Sequence, residues 1–261
     1  MLQKRFMWSI FAVVLMGFCP GAARGAGPFT LKPDPDEIRI GALFNGAQVS
    51  VSGTIPSESE VVLQVTGKRE DLSLKTKGRA LGVLWMNLGN VTFQHVPSLY
   101  LLYFSEAIGA FARSNPAKWQ EMGIGFESLK GQIGITSDGG DKDELYREFL
   151  KLKEGEALYA MRDTPIRYGE SDGGMKSFAT EIPIPARVPP GVYQVKALAV
   201  NDGHIVATTT SEIRVNEVGA PALLSTLSMN HGILYGLLAV LIAIGAGLVM
   251  DFLFGESKGA H

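Results

Sequence analysis

Three parts of the chain contain residue types that could carry out chemistry, and the first lies near the C-terminus. Residues 255–259, Gly-Glu-Ser-Lys-Gly, match the G-x-S-x-G pattern of hydrolase nucleophile elbows. That motif requires a strand before the serine and a helix after it. Here it follows a long apolar segment, which is the wrong context. The pattern therefore does not predict a hydrolase.

The histidines and an acidic cluster are the other two candidates. The histidines lie far apart and lack the H-x-H or H-x-x-x-H spacing of metal ligands: His95, His204, His231 and His261. The acids of "SDGGDKDE" are Asp138, Asp141, Asp143 and Glu144. This stretch lacks the ligand spacing and mid-loop glycine of an EF-hand, and a solvated helix start accounts for it. We therefore predict no catalytic residue, no metal site and no cofactor.

Charge and cysteine content exclude further classes. The chain has 24 Lys and Arg against 26 Asp and Glu, with the signs mixed along its length. No basic stripe is available for a phosphate backbone, so we expect no nucleic-acid partner. Cys19 is the single cysteine and lies in a segment that we predict is removed, which excludes disulfides and Cys-ligated metals from the mature chain.

Residues 1–25 have the features of a secretory signal peptide. Lys4 and Arg5 precede an apolar run from Phe6 to Phe18, and small residues follow. The apolar run is too short to span a bilayer comfortably. Cleavage is predicted after Gly25, with cleavage after Ala23 as the alternative.

Residues 232–254, "GILYGLLAVLIAIGAGLVMDFLF", are predicted to form a transmembrane helix. From Gly232 to Met250 no residue is charged, and at about 1.5 Å per residue this stretch approaches the thickness of the hydrocarbon core. Asp251 then marks the boundary with the headgroup layer. With a signal peptide first, this helix places residues 26 to about 231 outside the cytoplasm and the tail, 255–261, inside. The basic start and the lack of disulfides favour the inner membrane and periplasm of a bacterium.

Small residues recur along one side of this predicted span. They are Gly232, Gly236, Ala239, Ala243 and Gly247. Such positions allow close approach of a second helix in lipid, where no hydrophobic force drives association. We expect this stripe to contact a partner helix, either of another membrane protein or of a second copy. The alternative is that Gly and Ala are simply frequent in membrane spans.

The exported region, residues 26–216, is predicted to form an immunoglobulin-like antiparallel β-sandwich. Period-two runs such as "AQVSVSGTI" and "GVYQVKALAV" recur at intervals set by Gly, Pro, Asn and Ser. "PPGVYQVKAL" resembles the strand start at which a tyrosine ties a corner of immunoglobulin-like domains, and Asn201-Asp202-Gly203 predicts a hairpin. Two smaller β domains are the alternative. Residues 217–231 form a juxtamembrane segment.

A helical insertion is predicted at about 105–155. Ser105 is expected to cap its first helix, and Asn115-Pro116 to start the second. Asp141 with Glu144 resembles a capping box, and Gly155 is expected to end that helix.

Trp85 and Asn87 are candidate partner contacts. They are predicted to lie between strands, with a turn at Leu88-Gly89-Asn90. Either Trp85 fills the core and Asn87 caps the turn, or the pair forms a recognition edge, since aromatic side chains dominate interface energetics.

Several stretches together resemble a "putative transmembrane protein" family described from Alphaproteobacteria. They are "IRIGALFNGAQVSVSGTI", "VVLQVTGKRE", "GVLWMNLGNVTFQHVPSLY", "PPGVYQVKALAVNDGHIVA" and "HGILYGLLAVLIAIGAGL". The resemblance implies an exported β-rich domain, one C-terminal anchor and no assigned catalytic residues. It also implies, through gene proximity, a permease similar to sulfite exporters as a partner.

These observations support one leading functional hypothesis, a membrane-anchored periplasmic accessory or binding module of a membrane complex, associated with a transporter. An envelope enzyme with a dispersed active site and an assembly factor for envelope proteins are the alternatives. The expected contacts are an integral membrane protein or a second copy, and the lipid bilayer.

Overall fold

The computed structural model describes residues 29–80 and 84–254, and the side chains of residues 77–88 are outside that description. The predicted signal peptide, the G-x-S-x-G match, the tail 255–261 and His261 therefore lie outside the described residues.

The strands form three sheets, including a curled half-barrel. The first sheet has the order β1 (Thr30–Asp34), β3 (Ala47–Pro56), β11 (Met175–Ile184) and β10 (Arg167–Asp172). The second has the order β2 (Glu37–Ile40), β13 (His204–Glu217), β12 (Gly191–Asn201), β4 (Glu60–Thr66), β7 (Tyr100–Phe104) and β9 (Tyr159–Asp163). The third has the order β5 (Arg69–Ala80), β6 (Leu84–Pro97) and β8 (Gly134–Ser137). Strands of the two chain halves pair directly, β3 with β11 and β4 with β12.

Six helices lie among the described residues. They are α1 (Glu106–Ser114), α2 (Pro116–Glu121), α3 (Phe126–Lys130), α4 (Lys142–Gly155), α5 (Ala220–Asn230) and α6 (Gly232–Phe254). The cap at Ser105 is confirmed, since its side chain accepts from the Ile108 N–H, and Asp141 likewise accepts from the Asp143 N–H. The predicted start of α2 at Asn115-Pro116 is confirmed, although the Asn115 amide donates back to the Phe111 carbonyl and makes no side-chain cap. The predicted end of α4 is confirmed as well, since Gly155 is its last residue.

One hydrophobic core joins all three sheets. Val51 of the first sheet, Leu63 and Val195 of the second and Phe93 of the third are buried in the same cluster, together with Phe149 of α4. A smaller cluster lies on the other side of β4, where Val62 packs with residues of β7, β12 and the first two helices. Strand β4 is thus buried on both faces, which explains the continuous apolar run in "EVVL".

The predicted fold class is confirmed in its β-rich content and its long apolar C-terminal helix, and it needs two corrections. The molecule is a mixed α/β structure, because helices cover a face of the second sheet and enter the main core. The pairing is also not wholly antiparallel, since β2 runs parallel to β13 and β7 runs parallel to β9.

Tyr193 ties the start of β12 to the loop before it. Its hydroxyl donates to the Pro189 carbonyl, four residues upstream, at 2.5 Å. Burial raises the pKa of Tyr193 to about 12, so the hydroxyl remains a donor at physiological pH. The predicted tyrosine corner is therefore present. The predicted hairpin turn is also confirmed, with positive φ at both Asp202 and Gly203.

Replacing Tyr193 by Phe should lower the free energy of unfolding by about 1–3 kcal/mol, since the Pro189 carbonyl loses its partner while remaining part-buried. Urea denaturation of wild type and variant measures the difference. Unchanged stability would show that the hydroxyl contributes nothing to the corner.

Candidate functional site

The seven residues predicted to contact a partner lie on two different elements. Trp85 and Asn87 lie inside β6, where they pair with Arg79 and Lys77 of β5. The predicted turn at residues 88–90 is wrong, because β6 continues through it. The register shift between Thr76 and Lys77 accommodates one extra residue there without ending the strand. Their side chains are outside the described part, so the choice between core and recognition edge stays open.

The other five residues all lie on α6, a helix without a buried residue. At 3.6 residues per turn they share one side of it: Gly232, Gly236, Ala239, Ala243 and Gly247. A Cβ added at Gly232, Gly236 or Gly247 would meet no atom within 4 Å. The stripe is therefore open along its length.

A concave site lies between the β5–β6 hairpin and α4, and we name it the hairpin–α4 groove. Its volume is about 620 Å³. It is lined by residues 74–76 of β5, 89–91 and 93 of β6, the loop 138–141, and α4 from Glu144 to Leu152. Such a volume falls within the range of small-molecule or peptide-anchor sites.

The hairpin and α4 are held in place by specific contacts. The Asn90 N–H donates to the Asp138 carboxylate at 2.9 Å, and the Asp138 N–H donates back to the Asn90 carbonyl at 3.2 Å. On the helix side, Phe149 stacks on Phe93 with ring centroids 4.6 Å apart. These contacts connect the two walls, so the groove is a fixed feature of the fold.

The lining combines an apolar surface with exposed carboxylates. The apolar side chains are Leu74, Val91, Phe93, Leu145, Phe149 and Leu152. The acids are Asp138, Asp141, Glu144 and Glu148, and Lys75 is the one cation among the lining residues. Leu152 is 42% exposed, so apolar surface remains accessible to a ligand. A groove of this kind favours a ligand that carries both cationic and apolar groups.

Metal binding has no support in the described part of the chain. Within residues 29–80 and 84–254, no three His, Cys, Asp or Glu side chains converge to hold an ion. His95 lies in β6, His204 begins β13 and His231 separates α5 from α6. The acids of the groove lie along its lining and do not converge on one point.

The hairpin–α4 groove was missed at the level of sequence. The sequence predicts the acids as a solvated helix start, and Leu145, Phe149 and Leu152 form an apolar stripe along the helix that follows. The sequence signal for the groove was the combination of an acidic loop with this apolar stripe, because Leu152 extends the stripe beyond the buried core. Only the pairing of β8 with β6 brings the acidic loop beside the hairpin.

Comparison with known families gives one match. A family model described as "Putative transmembrane protein (Alph_Pro_TM)" matches residues 29–256, nearly the whole described chain. A search of curated proteins gave no match. Helix α6 has a mean hydropathy of 2.5 and contains no buried residue, so it has the length and composition of a single membrane span.

Proposed function

Because the chain belongs to the "Putative transmembrane protein" family, we propose that it is a membrane-anchored accessory module that binds a partner in a membrane complex. The observation that carries this proposal is the hairpin–α4 groove, a fixed, acid-lined apolar site on a domain joined to a candidate span. The site suits recognition of a partner segment.

The location in this proposal is the bacterial inner membrane, with the β-rich domain in the periplasm and residues 255–261 in the cytoplasm. It is supported by the order of the predicted signal peptide and the apolar helix. We also propose that the first two sheets form an immunoglobulin-like sandwich. The tyrosine corner at Tyr193 and the core shared by the two sheets support this assignment.

The partner in this proposal is an integral membrane protein, such as a transporter permease, with an exposed segment that is basic and apolar. Its cationic side chains would lie against Glu144 and Glu148, and an apolar side chain would cover Leu152. Complementary charge of this kind speeds encounter and selects the partner, and it weakens as salt rises. The small-residue stripe of α6 is the proposed contact within the membrane.

Reversing the charge of the groove tests this function. Glu144→Lys with Glu148→Lys should reduce the amount of partner that co-purifies with the full-length protein in mild detergent by about tenfold or more. The reason is that like-charge juxtaposition across an interface costs several kcal/mol. These two residues are chosen because Asp138 and Asp141 accept backbone hydrogen bonds that hold the fold, whereas Glu148 pairs only with the exposed Lys151 on the same helix.

Glu154→Lys is the matched control, because Glu154 is also exposed on α4 but does not line the groove. It should leave co-purification unchanged, and circular dichroism should show that all variants fold. If the double variant folds and retains the same proteins in the same amounts as wild type, the groove is not the binding site.

A further inference from the structure

Helix α5 lies between the β-rich domain and the candidate span, with a break at each end. Gly219 precedes it with φ +69° and ψ −140°, and His231 follows it in a non-helical conformation. Because α6 alone has 23 residues, it is about 35 Å long and already covers a hydrocarbon core of about 30 Å. Helix α5 is therefore not needed for crossing, and it ends where the span reaches the membrane surface.

The composition of α5 is unusual for a helix in water. From Val218 to Met250 the chain contains no Asp, Glu, Lys or Arg. No residue of α5 is buried, and Leu223 and Met229 are largely exposed. The Thr226 hydroxyl donates to the Ala222 carbonyl at 2.8 Å, so that polar group is satisfied within the helix. An exposed helix that has leucines but no charged residue is suited to the boundary between water and lipid.

A second apolar group lies beside the start of α5. The Val218 N–H donates to the Ile40 carbonyl at 2.8 Å, which ties the end of β13 to the end of β2. The loop after β2 carries Leu43, which is 96% exposed. The neighbouring Phe44 packs against the core and anchors this loop. Leu43 is thus held outward at the end of the domain from which the chain leaves for α5.

The C-terminal end of this loop is also constrained. Gly46 closes it with φ +93°, and a Cβ there would lie 2.9 Å from the Ile184 carbonyl. Since Ile184 is paired with Ala47 in the first sheet, the loop is braced between the two sheets. Leu43 is therefore held by neighbours that are fixed in the two sheets. A residue that contacts a fixed surface needs such support.

We propose that α5 and Leu43 form one surface that rests in the boundary between headgroups and acyl chains of the bilayer. This surface seats the β-rich domain directly on the membrane. Continuity with α6 identifies the lipid bilayer as what this surface contacts. Helix α5 joins the span at the bilayer surface, and Leu43 lies at the same end of the domain. The inference does not depend on the hairpin–α4 groove or its partner.

Lipid quenching of single labelled cysteines tests the proposal in the full-length chain. In a Cys19→Ser background, Leu43→Cys and Leu223→Cys are each labelled with an environment-sensitive fluorophore and reconstituted in phosphatidylcholine vesicles. Val206→Cys is the control, since Val206 is also an exposed apolar residue, 52% accessible, but lies at the opposite end of β13. A spin label on the acyl chain near the headgroup should quench residues 43 and 223 severalfold more than residue 206.

The outcomes separate the components of the surface. Strong quenching at residues 43 and 223 by the spin label near the headgroup supports the proposal. Quenching at both residues should weaken when the spin label is moved to the end of the acyl chain. Quenching at residue 223 but not at 43 would overturn the single surface, leaving α5 alone at the membrane. Equal, weak quenching at all three positions would place the domain away from the lipid and overturn the proposal, whether or not the groove variants lose their partner.

Discussion

A fragment of residues 26–104 is expected to show no cooperative thermal unfolding. It contains β1 to β7 but lacks β11 and β12, the strands that pair with β3 and β4. Val61, Leu63 and Val65 of β4 are fully buried in the intact core. Losing the burial of such side chains costs about 1.5–3 kcal/mol each, and three of them approach the whole stability of a typical domain.

The matched control is the segment 26–219, which retains every strand of the three sheets. It should unfold in one sharp transition followed by circular dichroism, at the same protein concentration and buffer. A sharp transition of the 26–104 fragment by itself would show that the first half is an independent domain, and the alternative of two smaller β domains would then be correct.

Phe149→Ala is expected to lower the free energy of unfolding by about 3–5 kcal/mol. The Phe149 side chain is 1% exposed, stacks on Phe93 and meets Tyr159 edge-on with centroids 5.7 Å apart. Removing the ring leaves a cavity between α4, the third sheet and the second sheet, because rigid strands on both sides cannot collapse into it. Urea denaturation of the 26–219 segment measures the loss.

Leu152→Ala is the control for Phe149→Ala, because it lies on the same helix one turn beyond but is 42% exposed. It should cost about 1 kcal/mol or less, since partly exposed side chains leave no cavity. Equal, small effects of both substitutions would show that α4 is peripheral to the fold and that the groove wall is not rigid.

Features with local causes could be predicted from the sequence. The apolar segment 232–254 predicted α6, because hydropathy over some twenty residues depends on no other part of the chain. Asp202 with Gly203 predicted a hairpin, and Ser105 and Asp141 predicted helix starts. In each case the interacting groups lie within four residues of one another.

Features that depend on distant pairing could not be predicted this way. "LGN" at residues 88–90 has turn-forming residues, yet β6 passes through it because β5 pairs with Asn87 before and Gly89 after a bulge at Leu88. The alternation of β4 places Val62 on the face opposite Val61 and Leu63, and helices distant in sequence cover it. Gly155 ends α4 as predicted, but the positive φ of 58° that follows falls on Ala157 and not on a glycine.

The sequence by itself determined a β-rich chain with local turns, helix starts and one apolar C-terminal segment, because hydropathy, period and capping act over a few residues. Only the tertiary structure decided how those pieces form sites. The hairpin–α4 groove exists because β8 pairs with β6, and the surface of α5 and Leu43 exists because Val218 binds Ile40. Both depend on hydrogen bonds between residues far apart in the chain, whose formation is governed by the packing of the whole core and leaves no local pattern.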